Sequence, residues 1–416
     1  KEVIMEEKVK TKKRRPVDPN SADYKLNTIA KKAYTDAMEA KKNGEMIGWC
    51  ASNFPVEIPE TLGLHVVYPE NQAAAIAARG AGEKMCSIAE ADGYCNDVCA
   101  YARVNFAYAK IKSCPEQDVP LPDFLLCSSN ICNIMIKWYE NLAVQLDIPM
   151  FMIDFPYSNE FEVTDDKLQY IEDQFWDVVH GLEKLTGKKW SEEKFKEVQD
   201  ISGRSSRAWM KACKKATYKP SPFNGFVLLN HMAVMVTARG KLEAAEAMEQ
   251  LCDEWEELHK KGISTFRGEE KGRIMFEGIA CWPWLRATGH GLKDNNLNMV
   301  ATVYADAFSY IYDDMKGLCR AYSNVPNSVS LERATSNRTK MCKEIGVDGV
   351  LVHTNRSCKL WSGFMPEMSR RISDECDIPV VSFDGDQADP SCFSEAQYET
   401  RVQGLSELIE ANKETK

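Results

Sequence analysis

Residues 123–153 read DFLLCSSNICNIMIKWYENLAVQLDIPMFMI. Asp123-Phe124-Leu125-Leu126-Cys127 has the length and apolar character of a buried strand, and SSNIC after it reads as a loop. Ile131, Met135, Trp138, Leu142 and Leu146 then recur every three or four residues, the period of an amphipathic helix. Asp147-Ile148-Pro149 stops that helix, and Met150-Phe151-Met152-Ile153 predicts a second strand. A strand, a crossing helix and a strand form the unit of a parallel sheet.

The same plan recurs near the C-terminus. VDGVLVHTNRSC, residues 347–358, predicts a strand and loop; a helix runs to Cys376, DIP returns, and Val380-Val381-Ser382-Phe383 is the next strand. A cysteine stands at the loop-to-helix junction in both units, Cys132 in one and Cys358 in the other. A second pair of segments is also alike. Ile47-Gly48-Trp49-Cys50-Ala51-Ser52 leads to Leu64-His65-Val66-Val67-Tyr68, and Gly278-Ile279-Ala280-Cys281-Trp282-Pro283-Trp284 leads to Met299-Val300-Ala301-Thr302-Val303-Tyr304. Two similar halves point to a duplication.

Between them, Leu168, Ile171, Phe175, Val178, Leu182 and Leu185 keep a helical period, and Ser191 before Glu192 and Glu193 suits a helix start. Lys219-Pro220-Ser221-Pro222 and Asn224-Gly225 mark a loop. The expected class is α/β, with two Rossmann-like parallel-sheet domains and a helical connecting region. The expected division is a tail over 1–25, a first α/β domain over 26–160, helices over 161–262 and a second α/β domain over 263–416.

A chain of 416 residues exceeds one ordinary core. Its net charge of −10 comes without a sustained basic stripe, which argues against nucleic acid as partner. No apolar run reaches the ~18 residues that a membrane span needs. The N-terminus, with Lys12-Lys13-Arg14-Arg15, lacks the apolar centre of a signal peptide and reads as a solvated tail. The 15 cysteines include no C-x-x-C pair and no zinc-type spacing. With no secretory signal they point to a reducing cytoplasm, where most would be small buried hydrophobes.

Ligands of open parallel sheets sit at the carboxyl ends of strands, where Cys132 and Cys358 are expected. Cys99, near the turn after Gly93 and Asn96, is a third candidate. A helix N-terminus favours thiolate, the form that binds iron or zinc. Three thiolates meeting between the halves would hold a cubane cluster with one iron open as a Lewis acid. Each cysteine taken singly is equally a packed core residue, and the residues alone leave both readings open.

The stretches GWCASNFPVEI, VYPENQAAA, DVCAYARVN, CSSNICNIMIKWYENLA, FRGEEKGRIMFEGIACWP, NRSCKLWSG and SFDGDQADP resemble the α-subunits of 2-hydroxyacyl-CoA dehydratases, in order from Gly48 to Gly404. The resemblance implies a [4Fe-4S] cluster held by Cys99, Cys132 and Cys358, with Cys95 and Cys127 left as packing residues. It implies that Ser52 hydrogen-bonds the substrate or leaving hydroxyl and that Glu70 is a proton-moving carboxylate near the cluster. Without the resemblance, Ser52 reads as a loop-capping serine and Glu70 as a helix-capping glutamate. The implied reaction converts an (R)-2-hydroxyacyl-CoA to the (E)-2-enoyl-CoA through a ketyl radical, since the C3 proton is not acidic until one electron enters the thioester. The implied substrate is an aryl-lactyl-CoA such as phenyllactyl-CoA, with lactyl-CoA and 2-hydroxyisocaproyl-CoA as alternatives.

A related β-subunit with its own cluster and an ATP-dependent iron–sulfur activator are the implied partners. This chain carries no G-x-x-x-x-G-K-[ST] loop of its own. The rival readings are a benzoyl-CoA-reductase-like subunit and a non-catalytic metal-binding subunit.

Other features carry less. Asp384, Asp386 and Asp389 hint at a calcium loop, but Asp389 stands where that pattern needs glycine, which leaves a loop near the cleft. Arg267-Gly268-Glu269-Glu270-Lys271 reads as a solvated charge run. His353 reads as structural, and Trp282, Trp284 and Trp361 as either an acyl pocket or core.

Overall fold

The computed structural model describes residues 18–157, 160–326 and 328–415. Most of the expected tail, including Lys12-Lys13-Arg14-Arg15, lies outside them. The 123–153 stretch folds as its pattern requires: strand β3 at Phe124–Ser128, a helix at Asn133–Leu146 and a strand, β4, at Met150–Ile153. β3 is buried along its whole length, and the helix buries Met135, Trp138, Tyr139 and Leu142 on one stripe. The two DIP motifs end their helices in the same way. Asp147 (φ 54°) and Asp377 (φ 52°) both take the left-handed conformation after the last turn, which aspartate tolerates better than most residues.

The first half adds β1 at Ile47–Cys50 and β2 at His65–Val67. The second half holds β5 at Gly272–Glu277, β6 at Leu297–Ala301, β7 at Gly349–Asn355 and β8 at Val380–Gly385. Each half forms a four-stranded sheet, ordered β2-β1-β3-β4 and β6-β5-β7-β8, and every pairing is parallel. The two halves therefore repeat one topology, with β3 and β7 in matching places.

The strand that matches β1 in the second half lies just before the segment that resembles Ile47–Ser52. The segment 278–284 is the loop and short 3-10 turn that follow β5, while the strand itself is Gly-Arg-Ile-Met-Phe-Glu. Two charged residues hid it. Arg273 is buried against Glu270 and backbone carbonyls, and Glu277 is buried against Arg338. The charge run before β5 is likewise not wholly solvated: Glu270 turns inward to Arg273, Ser221 N–H and Asn298.

The intervening region is helical, at Asp165–Thr186, Glu192–Lys214, Phe226–Thr237 and Leu242–Lys260. Ser191 caps the second of these by accepting the Lys194 N–H at 3.2 Å. The first described helix, Ala22–Lys42, begins inside the expected tail and packs on the last two. Among the described residues no helix is long and apolar enough to cross a membrane.

Buried polar groups tie the halves together. Glu57, just after β1, accepts from Ser202 Oγ (3.1 Å), Tyr322 OH (2.8 Å) and Tyr312 OH, and Arg239 donates to Tyr322 OH at 2.7 Å. Asn130, in the loop after β3, donates to the carbonyls of Asn53 and Tyr322. A buried carboxylate is tolerated only with such a full set of donors.

Candidate functional site

Cys99, Cys132 and Cys358 each stand at the start of a helix: Ala100–Ile111, Asn133–Leu146 and the short Lys359–Ser362 turn. Two come from the first half and one from the second. Cys132 and Cys358 follow β3 and β7, so the repeated topology brings matching positions of the two halves face to face. The sulfurs are close enough to influence one another: Cys99 raises the pKa of Cys132, and Cys99 and Cys132 raise that of Cys358.

The expectation that helix starts would favour thiolate is only half met. Backbone N–H groups of Tyr101 and Ala102 do lower the Cys99 pKa, as those of Ile134 and Met135 lower that of Cys132. Burial outweighs them. It pushes Cys99 up to about 11 and Cys132 up to about 12, and it raises Cys358 further. Without a bound cation all three are thiols at neutral pH.

Among the described residues no three His, Cys, Asp or Glu side chains are gathered to hold a single metal ion. A cubane binds each thiolate at a different iron, so its ligands stand apart around the cluster rather than around one ion. Three part-buried cysteines at helix starts, whose thiolate forms would repel one another, fit that group. Its positive irons would replace the solvent that burial removes.

A cavity of about 250 Å³ lies near these thiols: none of the three lines it, but its wall residues Tyr304 and Glu70 are within electrostatic reach of them. Ser52 and Glu70 lie on its wall. Ser52 follows β1, and Glu70 opens the Pro69–Ala78 helix after β2. The backbone N–H of Ser52 donates to Glu70 Oε1 at 2.9 Å, and Tyr139 OH reaches Oε2 at 3.4 Å. Burial lifts the Glu70 carboxyl from its ordinary 4.5 to about 7, against the lowering effect of the Ser52 bonds. Tyr304 joins the two groups: it lines the cavity with Glu70, and its pKa is raised chiefly by burial and further by Glu70, Cys358 and Cys99.

Of the three tryptophans, only Trp282 lines the cavity, held by a hydrogen bond to Tyr101 OH. Trp361 is core, donating to Glu277 Oε1 at 2.9 Å, and Trp284 stacks on Phe393. His353 is buried, stacked on Phe383 and bonded through Nδ1 to the Ile279 carbonyl, so it is structural. Cys127 is buried within β3 as expected. Cys95 is exposed in a turn and packs nothing.

The family model for the D-component of 2-hydroxyglutaryl-CoA dehydratase matches residues 51–409. The (R)-phenyllactyl-CoA dehydratase α-subunit of Clostridium sporogenes is 56% identical, covering 96% of this chain and 98% of that one. The (R)-2-hydroxyglutaryl-CoA dehydratase α-subunit of Acidaminococcus fermentans is 44% identical over 94% of this chain and 97% of its own length. The (R)-2-hydroxyisocaproyl-CoA dehydratase α-subunit of Clostridioides difficile is 46% identical over 93% and 96%. The chain belongs to the 2-hydroxyacyl-CoA dehydratase family.

In this dehydratase-family chain the support behind the cysteines escaped the reading of the sequence. The DGDQADP loop after β8 is no calcium loop. Asp386 accepts the backbone N–H groups of Ser357, Ala388 and Asp389. Gln387 Nε2 donates to Cys99 Sγ at 3.4 Å and to Ser357 Oγ at 3.0 Å, and Ser357 Oγ also accepts the Ala100 N–H. One loop thus fixes both Cys99 and the residue beside Cys358. The signal was a run of small acids and amides after a strand, which names no partner until the chain is folded.

Proposed function

We propose that this chain is the iron–sulfur α-type subunit of a cytoplasmic (R)-2-hydroxyacyl-CoA dehydratase that forms the (E)-2-enoyl-CoA, with a [4Fe-4S] cluster on Cys99, Cys132 and Cys358. The observation that carries the reading is the meeting of three helix-start cysteines from both halves beside a cavity that holds Ser52 and Glu70. When bound, a cluster with one iron free supplies a Lewis-acidic seat for the thioester carbonyl and one electron to it.

The chain's own residues do the rest. Ser52 Oγ orients the C2 hydroxyl of the substrate. Glu70, held by the Ser52 N–H and present in both protonation states near neutrality, gives a proton to the departing hydroxyl. Trp282, Tyr304 and Phe308 wall the cavity with rings, and its cationic lining residues are Lys31 and Arg79. The rings suit an aromatic acyl group such as phenyllactyl. A related β-subunit and an ATP-dependent activator complete the proposed system.

The test is iron and acid-labile sulfide in the complex purified without oxygen, for wild type and Cys358→Ser. About four of each in this subunit, lost or made labile in the variant, is the expected result. A well-folded, iron-free wild type overturns the reading.

A further inference from the structure

Gln387 is fully buried, and among the described residues its amide is the one side-chain group that donates to a sulfur of the three cysteines. Which way the amide faces follows from its neighbours. A metal-bound thiolate can only accept, and Ser357 Oγ, which takes one donor from the Ala100 N–H, keeps a lone pair for Gln387. Turning the amide over would put oxygen against sulfur. The favoured orientation leaves Gln387 Oε1 buried with no partner, a cost that structures accept when the other half of the group has a task.

The loop that carries Gln387 is held rigidly. Asp386 caps it from within, and Arg103 anchors Asp389 at 3.1 Å. The Ala388 carbonyl lies where a side chain on Gly82 would be, 2.0 Å from a Cβ built there. The N–H therefore reaches the sulfur by construction and not through a mobile side chain.

Resting on the cluster assignment above, we propose that Gln387 sets the reduction potential of the cluster through its hydrogen bond to Cys99 Sγ. A donor on a ligand sulfur draws off charge and stabilises the reduced, more negative cluster, which raises the potential. Gln387 is on this account a positioning and tuning residue and touches no substrate.

The experiment is a potentiometric titration of the anaerobic holo-complex, followed by the cluster's visible and EPR signals. It compares wild type, Gln387→Met (similar volume, no donor) and Gln387→Glu (acceptor for donor), with iron and sulfide measured on each. The expected order of potentials is wild type, then Met, then Glu as the most negative, at unchanged iron content. A Met variant with full iron and the wild-type potential overturns the proposal. Resonance Raman of the wild type supplies a reading that needs no variant. An Fe–S(Cys) band that moves on exchange into deuterium oxide supports an exchangeable donor on the sulfur, and an unmoved band speaks against it. Absence of iron from the wild type itself would instead sink the cluster assignment.

Discussion

At the scale of single residues, the balance between burial and hydrogen bonding decides the chemistry. Glu70 is the clearest case, with burial that disfavours its anion more strongly than hydrogen bonds from Ser52, Tyr139 and its own backbone favour it. Its folded pKa lies above the ordinary one, so the folded state holds the proton more tightly. Its contribution to stability is thus present at low pH and lost as the pH rises from 4.5 to about 7. Denaturant melts should show the wild type losing stability relative to Glu70→Gln between pH 5 and pH 8. Dehydration by Glu70→Gln should fall by about 10²-fold or more, with iron content kept. Ser52 and Glu70 could be named in advance only through the family resemblance. Their own residue types fit an ordinary loop cap and helix start equally well, and the bond between them joins segments that lie apart in the chain.

At the scale of elements, local pattern was a good guide wherever the local pattern was also the cause. Ser191 caps its helix because a serine there needs nothing distant; Ser191→Ala should cost about 1 kcal/mol, read as a lowered Tm. Cys132 and Cys358 were legible for the same reason, since a strand, a loop and a helix start follow from periodicity alone. β5 was not. A period of apolar residues cannot register Arg273 and Glu277 as interior, because the partners that neutralise them come from elsewhere. The DGDQADP loop was opaque for a related reason: its bonds run to Cys99, Ser357 and Arg103. Gly82 shows how closely that loop is seated. Gly82→Ala would drive a methyl group into the Ala388 carbonyl, with an expected loss of about 1–3 kcal/mol and a cluster released faster in air, followed by the bleaching of its visible absorption.

At the scale of the whole molecule, two sheets of one topology are each held by buried charged groups, and the second half shows the tightest of these. Arg338 meets Glu277 through Nε at 3.0 Å and Nη2 at 2.7 Å, with both side chains fully buried. Arg338→Met would strand that carboxylate, and thermal melts should show a loss of about 3–5 kcal/mol. Trp361, which shares Glu277, sits in the turn that Cys358 opens, so the same variant should also loosen metal retention.

The ties between the halves have a further bearing on traffic into the cavity. Glu57 gathers hydroxyls from both sides, and Gln387 and Ser357 bridge to Cys99 and Ala100 across the seam. A clamshell that opened to admit a bulky thioester would have to break all of these and pull Cys358 away from its two companions. The Ala22–Lys42, Pro69–Ala78 and Phe226–Thr237 helices border the cavity, and a motion confined to them would leave those ties across the seam unbroken.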